Sequence, residues 1–147
     1  MAMTFDELVQ SGIKKETDTE AFYRDWAEQL TDSGARVLLS ELAQEEAKHR
    51  IFFEKLKETD IQPRQTDQVL DLHIGDYLLP EEISQGSSVQ DVLISAIHRE
   101  ESAIKFFSDL AAQAGNMRAT FEQLAGEEKK HKLRLETFYD DNILSED

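Results

Sequence analysis

Apolar residues recur along this chain at spacings of three and four. Phe22, Trp26 and Leu30 form one such stripe, and Leu38 and Leu42 open another that includes Phe53 and Leu56. This is the period of a helix with one face turned to a core, and no β-branched run shows the period of two that a strand requires. Both prolines, Pro63 and Pro80, fall in one middle stretch, so the segments on either side are free to run as long helices.

The pattern predicts four main helices. The first spans about Phe5 to Asp32, opened by Thr4 with Glu7 three residues on as a capping box, and Gly12 marks a place where it can bend or break. Ser33-Gly34 reads as a tight turn into a second helix, about Ala35 to Thr59, and so short a connection makes the two antiparallel neighbours. A third follows Ser88, with Asp91 as capping partner, and runs to about Ala114; Gly115-Asn116 turns the chain into a fourth, Met117 to about Asp140. Residues 60–87 carry both prolines, Gly75 and Gly86 and a semi-apolar patch from Val69 to Leu79, and read as a long crossover containing a short helix. The expected fold is therefore all-α: a four-helix bundle in a single domain over 1–147. Hairpin one covers about 4–59, the crossover about 60–87, hairpin two about 88–140, and an acidic tail 141–147.

The hairpins also repeat each other. Ile13-Lys14-Lys15-Glu16 through Phe22-Tyr23 matches Ile97-His98-Arg99-Glu100 through Phe106-Phe107 at an offset of 84, and Leu42-Ala43-Gln44-Glu45-Glu46-Ala47-Lys48-His49 matches Leu124-Ala125-Gly126-Glu127-Glu128-Lys129-Lys130-His131 at an offset of 82. A duplicated hairpin implies a pseudo-twofold axis through the core, with equivalent residues gathered about one centre. A Glu-x-x-His pair places its side chains about 60° apart around a helix and about 4.5 Å apart along it, so both can reach one metal ion. One copy in so Glu-rich a chain is weak and reads equally well as a surface pair. Two copies, each on the stripe Leu-Glu-His-apolar-apolar (Leu42, Glu46, His49, Phe53, Leu56 and Leu124, Glu128, His131, Leu135, Phe138), interrupt the core-facing side of their helices.

Composition narrows the chemistry. Thirty-one acidic against sixteen basic residues, a formal charge of -15, disfavour nucleic acid and anionic membranes as partners. The absence of cysteine excludes thiolate zinc sites, iron–sulfur clusters and a four-cysteine iron centre. No stretch approaches eighteen apolar residues and the start Met-Ala-Met-Thr-Phe-Asp-Glu has no basic or apolar leader character, so the expectation is a soluble, cytoplasmic protein. Four carboxylates and two neutral imidazoles suit a pair of borderline divalent cations, whose charge the four carboxylates neutralise.

Glu, then Glu-x-x-His, repeated after a long crossover, resembles the ferritin-like di-iron carboxylate proteins, and among them the rubrerythrin-like ones, over about residues 5–140. By that resemblance Glu16 and Glu100 are terminal ligands, Glu46 and Glu128 bridges, and His49 and His131 supply one imidazole to each of two irons, with manganese or zinc as substitutes. It implies a di-iron oxidoreductase that reduces peroxide or dioxygen or oxidises ferrous iron, fed by an external electron donor such as a rubredoxin-like protein; a non-enzymatic metal-binding or iron-handling protein is the alternative. A homodimer is a further expectation. Departures are Ala103, where rubrerythrins proper usually add a site Glu, and the lack of the cysteines of their rubredoxin domain. Glu20 and Tyr23 stand as supporting positions behind the ligands. Glu20 faces either inward or solvent, and Tyr23 is favoured as core packing because its counterpart Phe107 has no hydroxyl. His98 and His73 are expected outside the site.

Overall fold

A computed structural model describes residues 4–60, 77 and 82–143. Among the described residues there are four long helices, α1 (Phe5–Gln29), α2 (Ser33–Lys55), α3 (Val89–Gln113) and α4 (Arg118–Asn142), with a 3-10 turn at Glu58–Asp60. Helix α1 packs along α2 and α3 along α4, giving the two expected hairpins. The proposed short crossover helix, the Val69 to Leu72 patch and His73 lie outside the described residues, apart from Tyr77, which is buried. Among the described residues no helix is long and apolar enough to cross a membrane.

The caps explain most boundaries. Thr4 accepts the Glu7 N–H and Ser88 the Asp91 N–H, starting α1 and α3 where the sequence signals them. Between α1 and α2 the sequence reading is corrected. The connection is Leu30 to Asp32, and Ser33-Gly34 form the first turn of α2, because Asp32 Oδ1 accepts the Ala35 N–H at 2.8 Å and acts as the cap. Helix α1 also runs through Gly12 without a break. Glycine is needed there for room: a Cβ would lie 2.6 Å from the Phe53 ring. Helix α2 stops at Lys55, short of Thr59, since Leu56 turns extended and half-buried toward the core and Asp60 Oδ2 takes the Lys57 N–H. Helix α4 extends to Asn142, two residues into the expected tail, with Ile143 folded back against the core.

Two apolar clusters fill the bundle. One holds Leu8, Phe53, Phe106, Phe107, Leu110 and Phe121. The other holds Trp26, Leu39, Leu42, Val92, Leu93 and Leu135. Each helix contributes to both and passes between them through one buried polar stretch: Glu16 on α1, Glu46 and His49 on α2, Glu100 on α3, Glu128 and His131 on α4. The polar layer is thus sealed at both ends by hydrocarbon.

Candidate metal centre

All six residues picked from the repeated motifs meet in that layer. Glu46, Glu100 and Glu128 are 0% exposed, Glu16 and His49 2%, and His131 5%. Antiparallel pairing inside each hairpin sets Glu16 opposite the Glu46–His49 turn and Glu100 opposite the Glu128–His131 turn, and stacking the hairpins closes the ring. The two imidazoles lie nearly parallel with centroids 6.1 Å apart. His131 Nδ1 lies 2.9 Å from Glu46, 3.2 Å from Glu128 and 3.7 Å from Glu100. His49 Nδ1 lies 3.3 Å from Glu128, 3.6 Å from Glu46 and 3.9 Å from Glu16. Glu46 and Glu128 therefore face both rings, while Glu16 and Glu100 each face one.

Donor atoms fall into two overlapping groups, Glu16–Glu46–His49–Glu128 and Glu46–Glu100–Glu128–His131, each with its atoms within 4.8 Å of one another. Many are orphans. Glu16 Oε2, Glu46 Oε2, Glu100 Oε2, both oxygens of Glu128 and His49 Nδ1 are buried with no hydrogen-bond partner. A buried carboxylate oxygen without a donor costs on the order of 1–3 kcal/mol or more, so this many in one place point to cations as the missing partners. The chemistry of the set, carboxylate oxygen with imidazole nitrogen, fits iron, manganese or zinc.

Electrostatics agree. Burial, followed by the neighbouring carboxylates, pushes Glu16, Glu100 and Glu128 well above or above the ordinary carboxylate range. Glu46 is held low: burial opposes this, but bonding to Glu16, His131 and His49 prevails. Burial alone would lower the imidazoles, yet the carboxylates around them raise His49 to about 11 and His131 to about 12. Without cations the cluster therefore favours the uptake of protons.

Surrounding contacts separate the remaining candidates. Tyr23 packs in the core as favoured, 0% exposed, and its O–H also donates to Glu100 Oε1 at 2.6 Å, while its counterpart Phe107 stacks on Phe53. Glu20 does not reach the cluster, because Arg50 and Arg24 hold it at 3.0 Å each. His98 is exposed, as expected. Sequence reasoning missed Glu127, whose Oε1 lies 3.5 Å from His49 Nε2. Its repeat mate Glu45 instead pairs with Lys48 in solvent, so the repeat gave no sign of it. It also passed over Lys15 and Arg99, the cations that precede the two outer carboxylates, although the repeat displays them.

Residues 91–147 match the family model for rubrerythrin, which bears out the resemblance carried by the repeated motif over α3 and α4. Solved structures share the fold over nearly the whole chain. A hypothetical protein from Pyrococcus furiosus superposes with a TM-score of 0.71 at 23% identity, covering 93% of this chain and 89% of that one. A candidate ferritin-like diiron-carboxylate protein from Thermotoga maritima superposes with a TM-score of 0.72 at 19% identity, covering 94% and 95%. The bundle is ferritin-like. No curated protein matches the chain by sequence.

Proposed function

We propose that this rubrerythrin-like bundle is a di-iron oxidoreductase that reduces peroxide or dioxygen, or oxidises ferrous iron, with electrons from an external donor. The observation that carries the reading is the pair of buried donor groups that share Glu46 and Glu128. Glu16 and His49 would hold one iron, Glu100 and His131 the other, with the two shared carboxylates between them. When bound, such a pair supplies one-electron steps toward an oxidant, while the protein sets geometry, charge and dryness.

The chain's own residues have definite tasks. Glu46 and Glu128 sit between the imidazoles and balance charge on both sides. Tyr23 keeps a proton on its phenol oxygen and directs it at Glu100, fixing one carboxylate oxygen and leaving the other for a cation. Glu127 faces the outer nitrogen of His49, where a carboxylate fixes the tautomer that leaves Nδ1 to the centre. The clusters around Phe53 and Leu39 exclude water from either end.

Anaerobic reconstitution with ferrous iron, followed by absorbance during peroxide additions and re-reduction, tests the proposal. Two irons per chain that oxidise and are reduced again over repeated cycles are expected. Iron that binds and is released without such cycling would favour the iron-handling alternative instead.

A further inference from the structure

The outer groove between α3 and α4 has two unlike ends. Toward the start of α3, Ile94 and Leu133 are 39% and 62% exposed and stand beside Ile97, Glu136 and Asp140. Toward the other end, Ser108, Ala111, Ala112 and Ala125 leave a hollow of about 420 Å³, with Arg118, Glu122 and Lys129 at its edge. One end is thus an apolar ridge with acids, and the other a small-residue hollow with two bases and one acid. Glu122 is already held by Arg118 of its own helix at 2.7 Å, whereas Glu136 and Asp140 have no ion pair among the described residues.

The equivalent groove on the first hairpin differs. Ile51, the repeat mate of Leu133, is exposed there too, but the mate of Ile94 is Gln10. The mates of Arg118 and Glu136 are Arg36 and Glu54, and both are engaged within the chain: Arg36 Nε donates to the Ala27 carbonyl at 2.9 Å, and Arg50 donates to Glu54 at 2.9 Å. The second hairpin keeps both the ridge and the unpaired acids.

We propose that the α3–α4 groove is a twofold interface with a second copy of this chain, α4 running antiparallel to α4. Ridge and hollow are centred roughly ten residues apart on α4, about 15 Å. An axis crossing midway, level with Glu127, lays Leu133 and Ile94 of each copy into the alanine hollow of the other. The same register sets Glu136 opposite Arg118, with Asp140 one turn beyond, and Lys132 opposite Glu122, so unlike charges meet. Such self-complementarity is what a twofold axis demands, because whatever protrudes at one end must be received at the other. The size also fits. Helices of 25 residues are about 37 Å long and two side by side about 20 Å across, giving roughly 750 Å² per copy against about 800 Å² for a standard interface. The formal charge of -15 opposes association at long range, but salt screens that beyond about 8 Å, and the short-range match decides. The interface gives the expected homodimer a face and a register, and it does not depend on the metal reading.

Sedimentation equilibrium of the full chain at about 0.15 M salt tests it. A dimer is expected. Leu133→Glu, at a position 62% exposed in the single chain, is expected to weaken it about a hundredfold or more, because a twofold interface carries each change twice. Arg118→Glu and Glu136→Arg are each expected to weaken it about tenfold, and the two together to restore it to within about threefold of the parent, since the swap rebuilds the pair. Both positions are exposed, so folding does not limit the readout. A parent that stays monomeric up to about 1 mM would overturn the proposal, as would a dimer indifferent to Leu133→Glu. A double swap that associates no better than either single change would overturn the register, and with it the interface.

Discussion

Glu46 and Glu128 differ from their neighbours by one position, and that position decides everything about them. Adjacent helical residues point about 100° apart. Replacing Glu46 or Glu128 with Ala is therefore expected to abolish paired metal binding, measured as metal per chain at saturation, whereas Glu45→Ala, whose side chain meets Lys48 in solvent, leaves it intact. Glu127 does not follow Glu45. Because it faces His49 Nε2, Glu127→Ala is expected to weaken metal binding by roughly 10- to 100-fold, the usual effect of losing a carboxylate behind a ligating imidazole. Affinity equal to the parent would mean His49 is oriented by packing alone. Tyr23→Phe removes the donor to Glu100 and keeps the ring, so a loss of about 0.5–1.5 kcal/mol is expected in thermal or denaturant unfolding of the metal-free protein, the scale of a hydrogen bond to an uncharged partner. A Tyr23→Phe protein as stable as the parent would show that water replaces the phenol.

Along the helices, two glycines sit in helical interiors for opposite reasons. A Cβ at Gly12 would meet the Phe53 ring at 2.6 Å, and that ring is itself stacked on Phe107, leaving it little freedom to yield. Gly126 has nothing within 4 Å of the same construction. Gly126→Ala should therefore raise stability by about 0.5–1 kcal/mol, the helix-propensity gain. Gly12→Ala meets an overpacking cost of about 1–3 kcal/mol that offsets or exceeds the same gain. Paired melting curves check this, and a Gly12→Ala protein stabilised as much as Gly126→Ala would show that Phe53 moves freely. Helix ends follow the same logic: Asp32 fixes the start of α2 at Ser33, ahead of the Ala35 that the Ser-Gly dipeptide suggests, because a side-chain cap outranks a glycine's preference for turns.

For the molecule as a whole, the polar layer links metal, protons and stability. Without metal, Glu16, Glu100, Glu128, His49 and His131 all bind protons more tightly folded than unfolded. Their stabilising contributions are complete below the unfolded values of about 4.5 for Glu and 6.5 for His, and are lost as pH rises toward the folded ones. Glu46, held low, works in the opposite sense but stands against five groups. Metal-free protein is thus expected to melt at progressively lower temperature from about pH 5 to 9, while loaded protein gains on it over the same range, since cations require the ionised carboxylates and neutral imidazoles. Melting curves with chelator and with ferrous iron or manganese test this. Coincident curves at every pH would mean the cluster neither holds metal nor stores protons.

The all-α bundle, the two hairpins and the six clustered residues were legible in the sequence because they rest on local rules: a period of 3.6 fixes which face a residue shares, and a duplicated motif fixes two registers at once. Thr4, Ser88, Leu42, Glu46 and His49 all obey such rules. What the tertiary structure decided concerns pairs that no periodicity relates. Tyr23 meets Glu100 across hairpins, Glu20 turns away to Arg50, and Glu127 reaches His49 while its repeat mate does not. Arg99 Nε and Nη1 are left without hydrogen-bond partners, where Lys15 donates to Tyr77 and Ser102. These differences arise where the two halves of a near-symmetric fold meet unlike neighbours, and a side chain's neighbours across an interface are set by packing of the whole bundle rather than by its place in the repeat.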